Sequence, residues 1–176
     1  MSQVIIAGDT SGTITLQAPA VSGSNTLTLP ALTGTVLTSK TAGTVLQVVS
    51  ATTTSSTSTS STSFVSTSLT ASITPSSSSS KIFILVAGGE LDSNGTNQAI
   101  TATIYRNSTN LAGSSGISDS YGTSSRIQST LSMSFLDSPS TTSSTTYTAY
   151  IKAGSGTVVF NANPVQSCIT LMEIAA

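Results

Sequence analysis

Lys81-Ile-Phe-Ile-Leu-Val-Ala-Gly-Gly-Glu90 is the stretch on which the reading of this chain turns. Ile82 to Ala87 is an unbroken apolar run, the longest in the chain and far too short to cross a membrane. Such a run predicts a β-strand buried on both faces, or nearly so. On either side the pattern changes to strict alternation. Leu69, Ala71 and Ile73 alternate with Ser and Thr, and Pro75 followed by Ser76 to Ser80 makes a turn. Downstream, Asp92 to Asn97 is turn chemistry, Ile100, Ala102 and Ile104 alternate, and Asn107 to Asn110 turns the chain again. Gly113 to Gly122 reads as a Gly/Ser-rich loop. Ile127, Leu131, Met133 and Phe135 mark a long strand, ended by Asp137-Ser-Pro-Ser140. Tyr147, Ala149 and Ile151 form another, Gly154-Ser-Gly156 predicts a tight hairpin returning through Val158 to Phe160, and Ile169 to Ile174 is the last. No helical period is sustained anywhere. About eight short strands beyond residue 63 predict an all-β antiparallel sandwich, barrel or jelly roll.

Upstream the strands shrink. Ile14 and Leu16 share one face of a short run, Leu27 and Leu29 of another that Pro30 ends, and Gly34 to Leu37 is a third. Strands this short do not form a stable sheet alone and need partner chains or a docking surface. The division predicted is therefore an N-terminal β arm over 1–43 and a head domain over 44–176. Within the head, Thr44 to Ser50 is a fuller strand, and 52–63, twelve consecutive Ser or Thr residues, reads as a flexible or extended connector.

Ser and Thr number 37 and 32 of the 176 residues, while charged residues make up only 6%. Five basic residues against six acidic give a net charge of -1, so nothing attracts a phosphate backbone and no nucleic-acid partner is expected. A surface of hydroxyls with little charge repulsion favours association, and we expect a chain that lives in an assembly. No basic n-region or h-region opens the sequence, so no signal peptide is expected, and a lone Cys168 fits synthesis in a reducing cytoplasm. Cys168 itself reads as a small buried hydrophobe in a strand.

Residues that could carry chemistry are few. With no His, the usual acid–base and metal ligand near neutral pH is missing. Ser78-Ser-Ser-Lys81 has the spacing by which a lysine activates a serine, but that geometry needs one helical turn and no helix is predicted. Glu90, Asp92 and Asn94 place oxygens at alternate positions, as a Ca²⁺ loop does, yet the full loop pattern is absent and a polar β-turn explains them. Asp9 and Asp137 read as lone turn residues. Asn94-Gly-Thr96 and Asn107-Ser-Thr109 fit the glycosylation pattern, which a Ser/Thr-rich chain matches by chance. Tyr105, Tyr121, Tyr147 and Tyr150 are candidates for a sugar or receptor surface, with Tyr147 reading better as core or subunit interface. No catalytic constellation and no cofactor site is expected.

Two stretches carry a family likeness. Gly12 to Leu37, with its Thr-Ile-Thr-Leu and Thr-Leu-Thr-Leu-Pro runs, resembles a β segment of surface proteins of tailed phages, especially those of cyanobacteria and aquatic bacteria. Thr44-Val-Leu-Gln-Val-Val49, Ser63 to Pro75, Ser80 to Val86 and Ile169-Thr-Leu-Met-Glu-Ile174 resemble a module found in the same proteins. The resemblance implies a jelly roll like that of the tumour-necrosis-factor group, assembled as a homotrimer with aromatic and aliphatic residues meeting on the three-fold axis. Tyr147 and Phe160 are the positions expected there. It also implies that the arm, through Ile14, Leu16, Leu27, Leu29 and Val36, anchors the trimer to the virion.

The function expected from this anatomy is a non-enzymatic capsid decoration or cement protein, bound to the major capsid protein or another virion protein and stabilising the shell by binding only its assembled form. The alternative is a short tail fibre that presents jelly-roll loops such as 113–122 to a host surface receptor. An enzyme would need a catalytic constellation that the spacing does not supply, and a bacterial adhesin would need a secretion signal.

Overall fold

The structure, a computed structural model, describes residues 3–7, 13–17, 41–93, 98–123 and 126–176. The chain divides into two compact units, Met1–Val36 and Leu37–Ala176. In the first, β1 (Gln3–Ala7) pairs antiparallel with β2 (Thr13–Gln17), with Val4 opposite Leu16 and Ile6 opposite Ile14. The strands expected around Leu27, Leu29 and Val36 lie outside the described residues.

The second unit has two antiparallel sheets. Its strands are β3 (Val45–Thr53), β4 (Thr57–Thr59), β5 (Val65–Ile73), β6 (Lys81–Ser93), β7 (Gln98–Arg106), β8 (Thr109–Asn110), β9 (Ser118–Gly122), β10 (Ile127–Asp137), β11 (Thr145–Ala153), β12 (Val158–Phe160) and β13 (Ser167–Ile174). In the first sheet, β6 pairs with β10 along one edge and with β13 and then β12 along the other, while β3 and β4 pair with β13 and β12. In the second, β11 lies between β5 and β7, and β7 carries β8 and β9 on its far edge. Taking β3/β4 as one strand, β8/β9 as another and β12/β13 as a third, the strands are divided between the two sheets in the order of a jelly roll, with β7 and β8/β9 paired in one of them. The all-β sandwich expected from the alternation is what forms.

The core lies between the sheets. Ile82, Ile84, Val86, Leu131, Ile169 and Leu171 from one sheet meet Leu69, Ile73, Ile100, Ile104, Tyr147 and Ile151 from the other, all buried. The alternation read from the sequence supplied most of these positions. At the lateral edges hydroxyls close the gap between the sheets. Thr53 Oγ1 and Ser68 Oγ bond at 3.1 Å between β3 and β5, and Ser120 Oγ and Ser129 Oγ at 2.9 Å between β9 and β10.

Several expectations are corrected. The Ser/Thr tract 52–63 is not merely a connector: it ends β3 and forms β4, whose Thr57, Ser58 and Thr59 pair with Phe160, Val159 and Val158. Gly154 to Gly156 does not make a hairpin, because β11 and β12 belong to opposite sheets, so the turn carries the chain across the sandwich. The segment 113–122 is not all loop. It holds a 3₁₀ turn, Gly113–Ser115, and strand β9. The apolar run in β6 is buried on one face only. Ile82, Ile84 and Val86 point inward while Leu85 remains 38% exposed. Gly88 and Gly89, both at positive φ, then oppose the single residue Leu131 and shift the phase, so that Leu91 points inward next. A Cβ on Gly88 would come within 2.6 Å of the Gln166 carbonyl oxygen, so only glycine fits there.

One buried carboxylate ties the two sheets together, and another holds the turn between β5 and β6 against the first sheet. Asp137 ends β10 in the first sheet and is not a lone turn residue. It accepts Arg106 Nη1 at 2.9 and 3.0 Å and the Tyr147 hydroxyl at 2.7 Å, both from the second sheet. Burial, and then this bond to a carboxylate, push the Tyr147 phenol far above its ordinary range. Glu173, fully buried on β13, accepts Gln47 Nε2 at 2.6 Å and both the backbone N–H and the hydroxyl of Ser76 at 2.7 Å. Burial alone would raise its pKa, but the hydrogen bonds from Ser76 and Gln47 outweigh it and hold the group at about 2.

These contacts predict distinct responses. Asp137→Ala, which strands a half-buried guanidinium and a buried phenol, lowers the unfolding free energy by about 3 kcal/mol in a urea titration. Tyr147→Phe, which leaves the ion pair intact, costs only about 1 kcal/mol. Equal losses would contradict a shared clamp. The depressed Glu173 pKa contributes stability above the ordinary value of 4.5 that disappears as pH falls towards 2. Glu173→Gln therefore flattens the stability–pH curve in that window, as thermal melts at stepped pH will show.

Candidate functional site

The positions expected between copies are in the core of one chain. Phe160 is fully buried, 2.8 Å from where a Cβ on Gly89 would stand, and Tyr147 is fully buried with its hydroxyl on Asp137. Neither offers a surface to a neighbour. Each sits at an inward position of its strand, which the local alternation showed; which of the apolar residues lay outward required the sheet register.

That register assembles an outer face on the β3–β13–β6–β10 sheet in cross-strand rows. Met172 is opposite Val48 on one side and Phe83 on the other, and Phe83 is opposite Leu136. Four strands thus place Val48, Met172, Phe83 and Leu136 side by side. The next row is Ser50, Thr170, Leu85 and Ser134, and the one beyond is Thr52, Cys168, Ala87 and Ser132. None of these twelve side chains is charged. Val48 is 57% exposed, Leu136 50% and Leu85 38%. Val45, at the end of β3 nearest the N-terminal unit in sequence, is also exposed.

Three polar members of the face, Ser50, Thr170 and Cys168, are satisfied locally. Ser50 Oγ bonds Thr170 Oγ1 at 3.2 Å and Cys168 Sγ at 3.1 Å. Cys168 is therefore a half-buried thiol on the outer face and not a core hydrophobe. Hydroxyl pairs that bond each other can be covered without stranding a donor, since no unmet group is carried into the contact. These three rows thus combine an apolar row with a bonded Ser50–Thr170 pair and no charge, the composition of an interface centre, and Lys81 stands in the row beyond, opposite Ile174.

The remaining sequence candidates are accounted for where they are described, and Asp9 and Asn94 lie outside the described residues. Ser78 lies in a turn that Ser80 N–H closes on the Ser77 carbonyl at 3.2 Å, and Lys81 begins an extended strand, so the helical geometry of a Ser–Lys pair is absent. Asp92 is gripped by Arg126 through Nε at 2.7 Å and Nη2 at 2.6 Å, and Glu90 accepts Asn163 Nδ2 at 2.6 Å and Gln128 Nε2. Their oxygens are spent on these donors, and no group of three or more metal-ligating side chains occurs among the described residues. Asn107, at positive φ, accepts the Thr146 N–H through its amide oxygen. Of the anchor residues, Ile14 and Leu16 lie on β2, while Leu27, Leu29 and Val36 lie outside the described residues.

No family model matches the chain. No curated protein matches it either. Among solved structures it is similar to a mutant VP2 protein of infectious bursal disease virus from derived T=1 particles, at 13% identity and a TM-score of 0.34, over 95% of this chain and 44% of that one. The chain thus spans less than half the length of that protein.

Proposed function

We propose that this is a non-enzymatic structural protein of a virion, a homotrimer that decorates the capsid and is held there by its N-terminal arm. The observation that carries the reading is the set of uncharged rows on this outer face, with the apolar row Val48–Met172–Phe83–Leu136. An isolated chain leaves Val48 and Leu136 open to water with Phe83 and Met172 half-buried between them, and covering a Leu side chain contributes up to about 3 kcal/mol. Patches of this kind mark association sites. Three copies packing these faces around an axis would cover them and leave the second sheet outward. The resemblance of residues 12–37, 44–49, 63–75, 80–86 and 169–174 to tailed-phage surface proteins supports the virion role.

In this reading the arm, with Ile14, Leu16, Leu27, Leu29 and Val36, binds the major capsid protein or a neighbouring virion protein. Binding to the assembled shell alone stabilises it by mass action. No catalytic residue, metal or cofactor takes part. A short tail fibre would share the architecture and differ in its abundance on the particle.

The proposal is tested at two levels. The purified protein runs as a trimer by light scattering. Val48→Asp or Leu136→Asp, at positions already open to water in one chain, turns it into a folded monomer with an unchanged circular dichroism spectrum. A wild-type monomer overturns the trimer. On purified particles the chain is counted by quantitative mass spectrometry. Abundance comparable with the capsid subunit supports decoration, while abundance comparable with tail proteins overturns it in favour of a fibre. Deleting residues 1–43 leaves a trimeric head that no longer binds particles.

A further inference from the structure

The outer face of the second sheet carries a cluster that the assembly reading does not use. Outward positions on β5 and β11 are otherwise Ser and Thr, and they pair as hydroxyls: Thr70 with Thr148 at 2.8 Å and Ser72 with Thr146 at 2.7 Å. This regular surface is interrupted by three aromatics, out of only eight in the chain. Tyr105 and Tyr150, on neighbouring strands, stack with ring centroids 3.9 Å apart at 21°. Phe64, entering β5, meets Tyr105 edge-on at 6.2 Å. Lys152 places its ammonium 4.7 Å above the Phe64 ring and donates to the Ser114 carbonyl at 2.7 Å.

We infer that Phe64, Tyr105, Tyr150 and Lys152 form a binding site for an anionic sugar residue of a polysaccharide. All four side chains are half-buried, so they are held in place yet remain open to solvent. The C–H faces of a pyranose ring pack on aromatic surface, and its hydroxyls need polar partners beside that surface. The Tyr105 and Tyr150 hydroxyls meet this need: neither has a hydrogen-bond partner among the described residues, and Ser66 is exposed opposite Tyr150. The sign of the ligand follows from the charges. Lys152 is the one charged side chain in the cluster, and Asp119 lies one strand further out, opposite Thr101, whose hydroxyl it accepts at 2.9 Å. An ammonium has three donors, and Ser114 takes one, which leaves capacity for a carboxylate or sulfate. The competing account is that Lys152 only fastens the 113–117 segment to the sheet; it predicts an effect on stability and none on binding.

The test is affinity electrophoresis of the full chain through native gels cast with alginate, a polyuronate, or with neutral dextran. At a net charge of -1 the protein has no general attraction to a polyanion, so retardation reports a site. Alginate retards the wild type and dextran does not. Lys152→Gln, which keeps the stem over Phe64, weakens the apparent affinity about tenfold, as loss of one charge-assisted hydrogen bond would. Tyr150→Ala weakens it at least as much, and Tyr150→Phe retains most of it. No retardation by alginate, equal retardation by dextran, or an unchanged Lys152→Gln overturns the inference. If Tyr150→Ala fails to fold, Lys152→Gln alone decides.

Discussion

The pairing of one strand, β6, holds the rest of the head in place. It bonds β10 along its whole length, and β13 and β12 in succession on its other edge. Its inward residues Ile82, Ile84 and Val86 face the second sheet, and its outward residues Phe83 and Leu85 form the centre of the open face. A slip of one residue would exchange these two sets. The Gly88–Gly89 bulge limits such a slip, since a side chain at Gly88 would collide with the Gln166 carbonyl. The core and the candidate interface are therefore set by the same register.

Ser and Thr replace charge throughout this molecule. Cross-strand hydroxyls bond one another on both outer faces and at both lateral edges. The few charges that are buried are each matched, Asp137 by Arg106 and Tyr147, Asp92 by Arg126, and Glu173 by uncharged donors. Such a surface repels a second copy weakly, and its bonded hydroxyl pairs enter a contact already partnered. A low charge fraction that would otherwise read as disorder is here compatible with an ordered sandwich, because alternating Val, Ile and Leu supply the core.

The strands were legible wherever hydrophobic period alone decides, as in Leu69–Ala71–Ile73 and Tyr147–Ala149–Ile151. What stayed hidden was long-range pairing. Gly154 to Gly156 reads as a hairpin because local turn chemistry does not say which sheet receives the next strand. The tract 52–63 reads as a linker because β4 has no apolar residue, and only its pairing with β12 orders it. Strand β9 was missed for the same reason, since Ser118 to Gly122 has one large side chain. The candidate face was legible in an indirect way. A run apolar on both faces was read as buried on both, and one chain buries only one of them, so the excess hydrophobicity of Phe83 and Leu85 is the sequence signature of the apolar outer face. Tyr147 and Phe160 were placed there because large aromatic residues are common at interfaces, yet their inward phase was already set by their neighbours.

Cys168 offers the most direct test of whether another copy covers that face. In one chain its thiol is half-buried on the outer side of β13, in the row next to Leu85 and Thr170. The measurement is the rate at which a small thiol reagent modifies native protein, compared with the Leu136→Asp variant and with unfolded chain. The account predicts that native Cys168 is protected and that the variant reacts at a rate approaching that of the unfolded chain. Equal, rapid modification of wild type and variant would show the face to be open and would contradict the proposed assembly.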